Sequence, residues 1–177
     1  MKDRLTKTDW IDHGLRTLAS DGPSALKVGP MSATLKVSRG SFYWHFRDIA
    51  DFRSEILRSW QDRMTDQIIQ EVAGKAEPDR LKHLLRRGFA EKPRLDRAIR
   101  SWAAEDEDVA RIVASVDASR VAYIEKLLLA AGVDSRWARP RAAFMYWAYL
   151  GQAIVMDPRL SSITAAALDD ISDLFGN

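Results

Sequence analysis

The chain has no cysteine among its 177 residues. That excludes disulfides, iron–sulfur clusters, thiolate zinc sites and a cysteine nucleophile, and it suits a reducing compartment. Glycine and proline are sparse, at nine and six residues, and they form no linker-like or low-complexity tract. No internal repeat is visible, and no run alternates with period two for long enough to make a strand. Long hydrophobic runs are also missing. The most apolar stretch, Ala142 to Met156, is about 15 residues and follows Arg139 and Arg141, short of the ~20 needed to span a bilayer. The first residues, Met1-Lys-Asp-Arg-Leu-Thr-Lys-Thr, lack the apolar core of a signal peptide. A soluble, cytoplasmic protein with no membrane partner is expected. No phosphate loop, nucleophile elbow or paired acid/base constellation occurs, so neither an enzyme nor a cofactor is expected. His13 and His83 have no second histidine at i+3 or i+4. Glu105-Asp106-Glu107-Asp108 reads as a solvated helix start favoured by the dipole, so no metal is expected.

Hydrophobic residues make up 46% of the chain and charged residues 29%, enough for one compact domain or two small ones sharing a core. The net charge of +2 is unevenly spread: residues 1–47 carry +4 and residues 48–177 carry −2. A basic first quarter on a faintly acidic body suits an anionic partner, although ordinary charge scatter gives the same figures. Almost every segment has helical period. Ile11, Leu15 and Leu18 form a stripe stopped at Gly22-Pro23. A long helix is predicted over 49–72, with Phe52, Ile56, Trp60, Met64 and Ile68 on one face and Gly74 as its end. Further helices are predicted from Pro78 through Phe89, over 93–104, along Val109 to Leu127 with Gly132 as cap, over 137–156 closed by Asp157-Pro158, and through Ile163 to Leu174. The expectation is an all-α chain of about nine helices.

Residues 28–46 break into a short apolar helix, a three-residue connector and a short aromatic-rich helix. This is the grammar of a helix-turn-helix, whose second helix enters the major groove. Ser38 is placed to cap that second helix, directing backbone N–H groups toward phosphate. Arg39 stands at the end that reaches base edges. Gly40 and Ser41 are small enough for close approach to DNA. Tyr43, Trp44 and His45 offer groups suited to phosphate or thymine-methyl contact, although a packed, hydrogen-bonded His45 is the alternative. Phe42 and Phe46 point inward as anchors.

The run Val37-Ser38-Arg39-Gly40-Ser41-Phe42-Tyr43-Trp44-His45-Phe46 resembles the recognition helix of the TetR family of transcriptional regulators, whose usual pattern is Gly-Val-Ser-x-Gly-Thr-Leu-Tyr-x-His-Phe. The specific resemblance covers residues 8–60. Beyond it the family keeps a helical architecture and little sequence. Three positions depart from the pattern. Lys36 replaces the usual glycine, Lys27 replaces the usual Thr or Ser cap, and Ile49 stands where a phosphate-binding lysine is common. Lys27 and Lys36 are expected to compensate in part.

The resemblance implies a helix-turn-helix DNA-binding domain at 1–50 and an effector-binding and dimerisation domain at 51–177. It also implies a homodimer in which a small molecule moves the DNA-binding heads on a double-stranded operator. The apolar run Phe144 to Leu150 supports a partner independently, because one buried face cannot satisfy it. Trp147, Leu150, Ile154, Leu168 and Ile171 are the interface candidates; a central core helix is the alternative. Trp60, Met64, Phe89, Trp102 and Tyr123 could line one cavity for an apolar or aromatic effector, although each is ordinary core filling taken singly. A repressor released by such an effector is the expected function. The alternative is a helical ligand-binding or interaction protein with weak or lost operator binding.

Overall fold

In a computed structural model the chain is all-helical, and the structure describes residues 5–90, 94–152, 154–155, 159 and 162–176. Ten α-helical segments run in order: α1 (Lys7–Asp21), α2 (Val28–Thr34), α3 (Arg39–Tyr43), α4 (Ile49–Gln61), α5 (Gln67–Ala73), α6 (Arg80–Ala90), α7 (Arg94–Ala103), α8 (Glu107–Ala130), α9 (Ser135–Gln152) and α10 (Ala165–Gly176). A π-helical turn, Asp62–Asp66, joins α4 to α5, so the described residues form nine continuous helices. The expected break at Asp157-Pro158 lies outside the described residues.

The π turn alters the predicted stripe. It inserts one extra residue per turn, so the buried positions on this helix run Phe52, Ile56, Leu57, Trp60 and then Thr65 and Val72. Met64 and Ile68 are left half-buried.

Two compact units divide the chain, one of Met1–Arg63 with Arg94–Val113 and the other of Met64–Pro93 with Ala114–Asn177. The division differs from the expected cut at residue 50, because α7 packs on α1 and so belongs with the N-terminal helices.

In the first unit, α1 opens with a capping box. Thr6 Oγ1 accepts from the Asp9 amide at 3.1 Å, and Asp9 returns a carboxylate oxygen to the Thr6 amide at 2.7 Å. The bonds that the Asp9 carboxylate accepts from the Thr6 hydroxyl, at 2.7 Å, and from the Thr6 amide hold the carboxyl below its ordinary range. Trp10, Ile11, Leu15 and Leu18 face the core. Gly14 marks a close approach to α4: a Cβ there would stand 2.5 Å from Phe52 Cζ and 2.6 Å from Ile56 Cδ1. On α7, Ile99 and Trp102 are buried and Leu95 half-buried. Buried Asp96 accepts from the Trp60 indole at 2.6 Å.

In the second unit, Val72, Leu81, Leu85, Leu128, Met145 and Leu168 belong to one core. The helix α9 turns Ala138, Ala142, Met145 and Tyr146 inward at spacings of three and four. The helix α10 is held to α6 by Arg86–Asp169 and Lys82–Asp173 ion pairs, the first with a bond of 2.8 Å from Nε and the second 2.8 Å from Nζ. Among the described residues, no helix is long and apolar enough to cross a membrane.

Candidate nucleic-acid interface

The α2–α3 hairpin is fixed from beneath by aromatic packing. Phe42 and Phe46 are buried, and Phe42 meets Trp10, Phe46 and Phe52 at ring-centroid distances of 5.3, 5.0 and 5.4 Å. The Trp10 and Phe52 pairs are edge-to-face and the Phe46 pair is tilted, and such contacts add to the burial of large apolar area. With those two rings inward, a five-residue helix must turn its remaining side chains out. Tyr43 is 59% exposed and Trp44 74%. Lys27, Lys36, Ser38, Arg39 and Gly40 are exposed on the same hairpin, while Ser41 and His45 are half-buried.

The connector has a defined geometry. Lys36 adopts φ 56°, and is the only non-glycine with positive φ among the described residues. The Lys36 amide donates to Ala33 O at 3.1 Å, and the Val37 amide to Ser32 O at 3.0 Å. This is a Schellman ending of α2 with lysine at its left-handed position, where glycine is usual. Left-handed backbone in a residue with a Cβ costs roughly 1–2 kcal/mol.

Two expectations about this segment change. The Ser38 hydroxyl makes no capping bond to α3, although its backbone is extended as a cap requires. Lys27 is the residue before α2 and, standing in place of the usual Thr or Ser, supplies no side-chain cap. His45, expected to face phosphate, has Nε2 2.8 Å from the carbonyl of Leu5 and holds the segment ahead of α1. The packed histidine is the observed one, because that carbonyl lies outside any helix and needs a donor. The sequence also left unseen where Arg39 rests. Its guanidinium lies against Gly29, so that an added Cβ on Gly29 would stand 3.1 Å from Nη2. Ile49 is half-buried at the start of α4, where Asp48 caps the helix by accepting from the Asp51 amide at 2.8 Å.

The predicted effector residues divide between the two units. Met64, Phe89 and Tyr123 line a cavity of about 90 Å³ in the second unit, together with Ile68, Leu84 and Met145. Trp60 and Trp102 do not line it; both are buried in the first unit, where Trp60 is bonded to Asp96. Burial raises the Tyr123 hydroxyl above its ordinary pKa.

The interface candidates also separate. Trp147 is 65% exposed and Ile154 is exposed, whereas Leu150 and Ile171 are half-buried. Leu168 is buried within its own chain, because α10 lays that side against α6. Phe144 and Leu174 join the outward apolar set, Phe144 stacking on Phe175 at 5.9 Å. Glu105–Asp108 acts as a helix start, with Asp106 Oδ1 accepting from the amides of Asp108 and Val109 at 3.1 and 3.2 Å.

Among the described residues, an all-helical arrangement exposes one face of an aromatic-anchored helix-turn-helix. The chain's fold is that of the TetR-family transcriptional regulators. It is similar to a protein from Rhodococcus sp. described as a TetR-family transcriptional regulator, with TM-score 0.73, 19% identity, and 97% of this chain and 98% of that one covered. It is also similar to a Clostridium perfringens protein described as a fatty acid metabolism regulator, with TM-score 0.71, 14% identity, and 94% and 95% covered. In sequence, 51 residues are 37% identical to the HTH-type transcriptional regulator AcrR of Shigella flexneri, a match spanning 29% of this chain and 24% of that regulator's length. No family profile matches the chain.

Proposed function

We propose that this chain is a TetR-like transcriptional regulator, a repressor that grips a double-stranded operator as a homodimer through α2 and α3. A small, mostly apolar or aromatic molecule in the cavity of the second unit releases it. The observation that carries the reading is the hairpin itself: Phe42 and Phe46 are locked inward while Arg39, Tyr43 and Trp44 are exposed. An arginine at the start of a recognition helix suits the guanine edge, and Lys27 and Lys36 add charge beside it. A partner copy suits the outward Phe144, Trp147 and Leu174, because monomers rarely leave contiguous large apolar side chains in water. The neighbours named as regulators support the same reading.

The decisive experiment is a titration of the full chain on a promoter fragment and on scrambled duplex at several salt concentrations. Operator binding should exceed random binding by roughly 10³-fold or more, and affinity should fall steeply as salt rises. A second reading rests on Ile49 and on the inward bond of His45, which remove two phosphate contacts usual in the family. It makes the chain a helical ligand-binding or interaction protein with weak operator binding. Equal, weak affinity for both duplexes selects that reading.

A further inference from the structure

Gly29 is the second residue of α2, and nothing in its backbone calls for glycine. Among the described residues the glycines with positive φ are Gly22 and Gly132. Gly29 therefore keeps an ordinary helical conformation, which alanine adopts more readily. It lies half-buried at the surface of the hairpin rather than in the core. A side chain there would meet one neighbour first. The three atoms nearest to an added Cβ are Nη2, Cζ and Nε of Arg39, at 3.1, 3.5 and 3.6 Å. The guanidinium thus rests on the bare backbone of α2, and the Schellman turn at Lys36 brings the start of α3 into reach of it.

We propose that Gly29 is the positioning residue for Arg39, a seat without a side chain that holds the guanidinium in the orientation in which it meets a base edge. The inference rests on the reading of α2 and α3 as the operator grip, and adds to it a residue that sets base preference through Arg39. Arginine pairs with guanine through two bonds, to O6 and N7, and both form together only when the planar fork arrives in the right plane. Arginine also has much rotamer freedom to lose. A side chain already held near its bound orientation loses less of that freedom on binding. The neighbour of Gly29 is the far end of a flexible side chain, so a methyl group at this position displaces the guanidinium and leaves α2 where it is. Stability and recognition therefore make opposite demands here: alanine suits the helix and unseats the arginine.

The test compares the full chain with Gly29→Ala, Arg39→Ala and the double variant, each titrated on the promoter fragment and on scrambled duplex, with urea unfolding alongside. Gly29→Ala should lower the preference for promoter over scrambled duplex by about 2- to 10-fold. Its urea midpoint should stay at or above that of the parent chain. The double variant should show the same preference as Arg39→Ala, because the methyl group has nothing to displace once the guanidinium is gone. Unchanged preference in Gly29→Ala overturns the inference and leaves the operator reading standing. An equal loss on both duplexes also overturns it, since the methyl would then hold DNA away from α2 directly. A double variant with less preference than Arg39→Ala does the same, as does a lower urea midpoint, which would show that the methyl strains the helix. A parent chain that binds both duplexes alike overturns the operator reading and the inference with it.

Discussion

Lys36 shows most directly how one side chain can work against its own backbone. Its φ of 56° closes the Schellman ending of α2 and thereby aims α3. Lys36→Gly should stabilise the protein by about 1 kcal/mol or slightly more, read as a shift in urea midpoint at constant slope. Lys36→Ala should give no such gain, because alanine keeps the Cβ; equal gains would point to charge rather than backbone. Arg39 has the opposite character, with little structural duty and an exposed position. Arg39→Ala should cost about 1–3 kcal/mol for operator over random DNA, and paired titrations on the two duplexes measure it. A uniform loss on both would mean that Arg39 touches phosphate alone. Much of this face was legible in the sequence, since Phe42 and Phe46 at helical spacing dictate which side is inward. The His45 bond to Leu5 was not, because it joins positions forty apart to a backbone carbonyl, which no side-chain pattern records.

Periodicity located the helices because each buries one stripe, and Gly22 and Gly132 mark their ends with positive φ. It failed at 62–66, where a π turn slips the stripe by one residue and the period no longer holds. It also gave no sign that α7 belongs with α1, or that Asp96 on α7 would lie buried under Trp60. Ion pairing across α6 and α10 has a consequence in acid. The hydrogen bond from Arg86 holds the Asp169 carboxyl below its ordinary value of 3.8. A carboxyl depressed on folding contributes stability that is present above its unfolded pKa and lost as pH falls through the folded one. Thermal melts should therefore show α10-dependent stability fading below about pH 4, and Asp169→Asn should flatten that limb. An unchanged acid limb would show that the pair contributes nothing measurable, as many exposed pairs do. At the basic end, Asp173 raises the Lys82 ammonium above its ordinary 10.5, so its contribution is lost only as pH rises beyond that value.

At the scale of the whole molecule, the outward faces of α9 and α10 set the expected assembly. The apolar run at 144–150 signalled an unsatisfied helix, but only the structure separates Phe144 and Trp147, which face out, from Met145 and Tyr146, which face in. The two sides predict different outcomes for one kind of substitution. Trp147→Glu should give a folded monomer in sedimentation, because the new charge stays in water once the partner is gone. Leu168→Glu should unfold the chain, because it puts an unpaired charge in the core. A dimer that survives Trp147→Glu would move the interface elsewhere.

The placement of the six tryptophans also gives the protein a built-in optical signature. Trp10, Trp60 and Trp102 are enclosed, while Trp44, Trp137 and Trp147 meet solvent. Iodide in solution should quench the second set and spare the first, dividing the emission into a blue, protected part and a red, accessible one. Trp44 and Trp147 stand on the two surfaces proposed to close, one against DNA and one against a second copy. Each association would shield a different indole, so the quenchable fraction of unlabelled protein would register both equilibria.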